Sequence, residues 1–262
     1  MQKIIAILCL IFLSAPVFAQ PDTTSVGLAT GAKAISCHTN SPQLLSFNYK
    51  ALIIPSALVA YGFVALDNHR LQSWNTRLQN EVQKRGHPEL IFDDFSRFAP
   101  ALSVYVLNAV GIRGRNNLKD RSVILGTATL LMLGTTYGLK AMIKEQRPDG
   151  STSDSFPSGH TALAFMGAEF LHQEYRDQSV WYGVAGYVVA SGTGILRMYN
   201  NRHWFSDVVA GAGVGILSTK VAYWVHPWMN ETLFNSKNHQ VSALALPYYN
   251  GKQAGLCLSV QF

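Results

Sequence analysis

Charged side chains are scarce in this chain, and their absence from long stretches limits how it can fold. Only 14% of its 262 residues are Asp, Glu, Lys or Arg, against 48% hydrophobic, where an average soluble chain has roughly a quarter charged. Stretches without solvated side chains must be buried in protein or in lipid. The apolar segments are Ala51 to Leu66, Ala99 to Ile112, Ser122 to Leu139, His160 to Phe170, Ser179 to Leu196 and Val208 to Thr219. They are rich in Ala, Gly and Leu without alternation, which predicts helices and not strands. Only two reach the length of a membrane span; the others need flanking residues. The small residues of Ala210 to Gly215 suit close helix contacts in a membrane, although a soluble helical core has a similar composition. The expected fold class is all-α: one bundle of five to six apolar helices, membrane-embedded, in a single domain.

The ends read differently. Lys3, the apolar Ile4 to Leu13 and Val17-Phe18-Ala19 before Gln20 form a signal-like segment, with an uncleaved anchor as the other reading. Residues 20–50 are polar and aperiodic, a linker. Residues 51–228 form the helical domain, and 229–262 a tail. In that tail Val241 to Leu246 and Gly255 to Phe262 alternate around Pro247 to Gly251, so Asn250-Gly251 predicts a small β-hairpin. Once the signal is removed, Cys37 and Cys257 remain; they either pair in an oxidising compartment or stay as two free thiols. The net charge of +6 suits an anionic substrate or an anionic membrane surface. It gives no sign of nucleic-acid binding, because the basic residues are scattered and do not alternate with aromatics.

Three polar clusters interrupt the apolar sequence. Lys140 and Arg147 lie seven residues apart, two helical turns, so a helix would place both on one face as an anion clamp; Pro148 then turns the chain away. Ordinary basic residues at the end of a span would look the same. In Phe156 to Thr161, Ser158 can cap the following helix, Gly159 lets backbone amides approach an anion, and His160 stands beside it. A helix beginning near His203 puts Asp207 one turn on, where its carboxylate fixes the imidazole tautomer and frees the other nitrogen as nucleophile or base. Arg197 adds a planar fork for phosphate oxygens. Arg202 reads as a surface or headgroup contact.

Together these clusters resemble the signature of the type-2 phosphatidic acid phosphatase superfamily, which includes bacterial class A acid phosphatases and vanadium haloperoxidases. The match runs from Lys140 to Arg147-Pro148, then Pro157 to His160, then Arg197 through His203 to Asp207. Leu196 stands where the signature has Ser, and the stretch between Pro148 and Pro157 is shorter than usual. The likeness covers roughly residues 51–228. It implies a metal-independent phosphatase without cofactor, acting through a phosphohistidine. In it His203 is the nucleophile, Asp207 orients it, and His160 is the acid and base. Lys140, Arg147, Arg197, Ser158 and the Gly159 amide hold phosphate. No dense Asp/Glu/His cluster of two-metal type is visible in the sequence.

The substrate the resemblance implies is a phosphorylated membrane lipid of the lipid A, undecaprenyl diphosphate or phosphatidate class. A soluble periplasmic acid phosphatase of broad specificity and a vanadium haloperoxidase are the alternatives. The implied location is the bacterial cell envelope, in the inner membrane with a periplasm-facing site. The basic connector Arg113 to Arg121 fits the cytoplasmic side. With six spans the segment before Ala51 is then cytoplasmic, which conflicts with a cleaved signal unless one short segment does not cross.

Overall fold

A computed structural model describes residues 49–84 and 90–234, together with the backbone of two strands, Ser242–Tyr249 and Ala254–Gln261. The signal-like segment, nearly all of the linker and the cysteine side chains lie outside the described residues. Among the described residues, eight helices make up the bundle. They are α1 (Lys50–Asp67), α2 (His69–Gln83), α3 (Phe92–Ser96), α4 (Ala99–Ala109), α5 (Leu118–Met142), α6 (Gly159–Tyr175), α7 (Val180–Tyr199) and α8 (Phe205–Met229). A π-helical turn, Asn230–Phe234, follows α8. The fold is all-α.

The helices outrun the apolar segments because polar caps start them. Asn117 accepts from Asp120 N at 2.8 Å and begins α5 four residues before the uncharged segment Ser122 to Leu139. Among the described residues three helices, 50–67, 118–142 and 205–232, are therefore long and apolar enough to cross a membrane, where the apolar segments alone gave two. The polar stretch after Asp67 also folds into helix. Asn68 caps α2, and α2 docks through amides: Asn75 Nδ2 donates to Ser206 Oγ at 2.8 Å, Gln79 Nε2 to Met198 O at 2.9 Å and Gln83 Nε2 to Tyr199 O at 2.8 Å. Leu71, Trp74, Leu78 and Val82 give α2 a helical apolar period, and its carboxamides make the buried contacts. The basic connector is likewise revised, since Arg121 lies inside α5 and is buried 3.9 Å from Glu174. Glu174 also accepts from Asn116 and Tyr223.

At the centre α6 packs against α4, α5, α7 and α8, and α8 packs in addition against α1 and α5. Phe170, Met166, Ile124, Met132 and Val214 fill the space between them. The outer helices turn apolar side chains outward, among them Ile54, Leu102, Leu130, Trp181 and Val188. That is the exterior of a bundle whose solvent is lipid. The two strands pair antiparallel, Ser242 opposite Gln261 and Tyr249 opposite Ala254. Pro247 thus lies within the first strand, and the connection falls on residues 250–253 instead of beginning at Pro247.

Glycines on α8 set its distance from its neighbours. A Cβ at Gly215 would lie 2.2 Å from Ala162 O on α6, and one at Gly213 would lie 2.6 Å from Pro55 O on α1. Gly215→Ala should therefore destabilise the bundle by about 1–3 kcal/mol, as overpacking does, and lower the midpoint of thermal unfolding in detergent. Gly126→Ala on α5, where nothing lies within 4 Å, should leave the midpoint unchanged or slightly raised. Equal midpoints for the two variants would contradict the close approach.

Candidate active site

The site forms where α7 ends and α8 begins. Asn201 takes the left-handed conformation (φ 56°), which Asn tolerates better than other side chains, and turns the chain between them. α8 starts at Phe205, two residues later than the sequence indicated. His203 is thus in the turn and not on the helix. It still meets Asp207: Nδ1 lies 3.5 Å from Oδ2, with side chains 2% and 0% exposed. The same Oδ2 accepts from Trp204 N at 3.0 Å and from Ser155 Oγ. Asp207 therefore caps α8 and orients the imidazole at once. Burial pushes the His203 pKa down, and the Asp207 hydrogen bond and charge oppose that shift.

Ser158 is the N-cap of α6, with its hydroxyl 2.9 Å from Thr161 Oγ1. Its backbone N–H donates to Asp207 O at 3.0 Å, joining the starts of α6 and α8. Gly159 is the first residue of α6, and His160 follows it. His160 Nε2 lies 3.0 Å from Asp94 Oδ1 and 2.7 Å from an Arg97 terminal nitrogen. Its pKa is pushed down to about 4, first by burial and then by the Arg197 charge, against the pull of Asp94. Arg197 and Lys140 act electrostatically on His203, and Arg197 acts on His160 as well. One guanidinium therefore influences both histidines.

Lys140 and Arg147 converge by a different route from the one expected. α5 ends at Met142, so no helix carries both. Asp154 joins them instead: its carbonyl accepts from Lys140 Nζ, and its carboxylate lies 3.0 Å from Arg147 Nε and accepts from a terminal nitrogen at 3.2 Å. Arg202 lies 3.1 Å from Asp149.

Sequence reasoning missed α3. Asp93 pairs with Arg197 and accepts from Asn200 at 3.1 Å, while Asp94 and Arg97 hold His160. Phe92 to Arg97 has no apolar period, and Asp94 is 66 residues from its partner. No local signal could have found these contacts. They also bring Asp93, Asp94 and His160 within 4.8 Å of one another, an Asp/His group the sequence did not show. Arg197, Asn200 and Arg97 already engage those same groups, so a metal ion there would have to displace two guanidinium contacts.

The PAP2 superfamily matches residues 121–231, which include all of the predicted site residues. The lipid A 1-phosphatase of Porphyromonas gingivalis is 44% identical over 136 residues, 51% of this chain and 30% of that protein. The phosphatidylglycerophosphatase B of Bacillus subtilis is 30% identical over 132 residues, 44% of this chain and 64% of that protein. The crystal structure of Aquifex aeolicus LpxE aligns with a TM-score of 0.44 and 26% identity, over 57% of this chain and 94% of the other. The chain thus spans about a third of the first relative's length and under two thirds of the second's. The stretch that matches the PAP2 superfamily, residues 121–231, holds the two histidines, the aspartate and the cations of the site.

Proposed function

We propose that this protein is a metal-independent phosphatase that removes phosphate from a membrane lipid through a phosphohistidine intermediate. The observation that carries the reading is the buried His203–Asp207 pair, with Arg197 and Lys140 acting on the imidazole. With Nδ1 turned to Asp207, His203 Nε2 is the nucleophile. It bonds to phosphorus as the bond to the leaving oxygen breaks, and His160 gives that oxygen its proton. His160 then takes a proton from water, which attacks the phosphohistidine and releases phosphate and neutral His203. Lys140, Arg147, Arg197, Ser158 and the Gly159 amide hold the oxygens as charge shifts. Cations and amides supply what phosphoryl transfer needs, positioning and charge stabilisation, without a metal.

A lipid substrate is supported by the lipid A 1-phosphatase relative and by three helices able to cross a membrane. The class is lipid A, undecaprenyl diphosphate or phosphatidate. The protein would sit in the inner membrane of the bacterial envelope with its site facing the periplasm. Residues 1–19 would be its signal or anchor, 20–50 a linker, 51–228 the phosphatase domain and 229–262 a tail.

His203→Ala should abolish phosphate release, and His160→Ala should lower it by at least about a hundredfold, with a chelator changing nothing. Full activity in either variant, or complete inhibition by the chelator, overturns the mechanism. In a phosphate-release panel the purified protein should prefer lipid A, undecaprenyl diphosphate or phosphatidate to a small aryl phosphate. A strong preference for the aryl ester overturns the lipid assignment.

The pH dependence has a definite sign. With the His160 pKa near 4 in the free site, the protonated acid becomes more abundant as pH falls from neutral. The profile of kcat/KM, which reports the free enzyme, should rise in that direction. Arg97→Gln removes a cation and should move this limb to higher pH; Asp94→Asn removes the group that sustains the proton and should move it lower. Shifts of the same sign in both variants, measured on one substrate, would exclude His160 as the group titrating.

A further inference from the structure

Behind Asp207 stands a carboxyl group that the mechanism above does not use. Glu145 lies in the loop between α5 and α6, five residues after Lys140 and two before Arg147. Its backbone carbonyl accepts from Ser155 N at 2.9 Å, and Ser155 turns its hydroxyl onto Asp207 Oδ2. This places the Glu145 side chain beside Asp207, within hydrogen-bonding reach of that carboxylate.

Each of these two side chains carries a buried oxygen without a donor. Asp207 Oδ2 accepts from Trp204 N and Ser155 Oγ and faces the His203 ring, but Asp207 Oδ1 has no hydrogen-bond partner. Glu145 Oε2 is also buried and without one. Two ionised carboxylates in contact would repel and leave both atoms unsatisfied, at a cost of about 1–3 kcal/mol or more for each group. One proton placed between them satisfies both. Asp207 is already committed as a carboxylate by its N–H donor, its hydroxyl donor and the imidazole, so the proton belongs to Glu145.

We propose that Glu145 is a neutral carboxylic acid that donates a hydrogen bond to Asp207 Oδ1, making it a positioning residue for the His203–Asp207 pair. The assignment rests on the phosphatase reading of the same site. Burial first, then the Asp207 charge and hydrogen bond, raise the Glu145 pKa to about 9, with Lys140 the opposing influence. The acid therefore keeps its proton at neutral pH. The charged groups facing it are Asp207 from α8 and Lys140 from α5. Arg147 and Asp154 share its loop, while His203 acts on Asp207. Losing the Glu145 proton would put a second negative charge against Asp207 and pull its carboxylate from the imidazole.

Glu145→Gln keeps a donor at all pH values, whereas Glu145→Met keeps the length and removes the donor. At neutral pH the Gln variant should hold kcat within about threefold of wild type, and the Met variant should lose about 10–100-fold in kcat with little change in KM, as loss of an orienting partner does. Wild type should lose activity above about pH 9, and Glu145→Gln should not. A fall caused by another group, Lys140 included, would persist in that variant. Equal impairment of both variants, or an alkaline fall unchanged in Glu145→Gln, overturns the proposal. Infrared spectroscopy of the protein at neutral pH tests the proton without turnover: the carbonyl stretch of a buried protonated carboxyl should be present in wild type and absent from Glu145→Gln. Its absence from wild type overturns the proposal even if the phosphatase reading holds. Its presence in a protein that hydrolyses no phosphoester would instead count against that reading alone.

Discussion

The carboxylate of Asp207 ties together nearly everything that makes this site. One oxygen receives the first free amide of α8 and the Ser155 hydroxyl and faces the His203 ring, while the residue's own carbonyl receives Ser158 N. A helix start, a loop, the His203 imidazole and the start of a second helix are thereby fixed to one residue whose side chain is wholly buried. Such an ion is tolerable inside a protein only when its lone pairs are nearly all used. The fold supplies Oδ2 from two segments, Ser155 and His203 with Trp204. Disturbing either alters the imidazole's orientation.

Around this anchor the cations are held in place by two aspartates of the same chain. Arg197 leans on Asp93, Arg147 on the Asp154 carboxylate, and Lys140 on the Asp154 carbonyl. These supports fix the direction of each cation, which is what the proposed preorganisation for a charged transition state requires. α3 serves this purpose with one short helix, since Asp93 and Asp94 reach Arg197 and His160 while Phe92 and Phe95 of the same turn face outward.

What the sequence revealed follows the range of the interactions involved. Helices with long uncharged runs were legible, because burying an uncharged run needs no partner of known identity. The His203 to Asp207 contact was legible because four residues bring the groups together on a helix or across its cap. The Lys140–Arg147 spacing gave the right pair for a wrong reason: a helical face was expected, but α5 stops at Met142 and Asp154 makes the connection. The contacts of Asp93 and Asp94 bridge roughly the width of the bundle in sequence, 104 and 66 residues, and leave no local mark. α2 was overlooked although Leu71, Trp74, Leu78 and Val82 recur at helical spacing, because polar residues dominate the stretch and amides make its buried contacts. Glu145 was unremarked although it lies between two signature residues, since only the folded loop shows that it faces another carboxylate.

The glycines of α8 link the packing of the bundle to the chemistry. A Cβ at Gly211 would lie 2.5 Å from Ser158 O, the carbonyl that begins α6. The absence of that side chain lets the first turn of α8 lie against the cap of α6, and only at that distance can Ser158 N reach Asp207 O at 3.0 Å. Gly215, one turn on, keeps the same spacing further along, against Ala162. Small residues in a membrane helix are usually read as devices for association alone. Here their position means that the approach which packs the helices also joins the starts of α6 and α8, the two ends that carry Ser158 to His160 and Asp207.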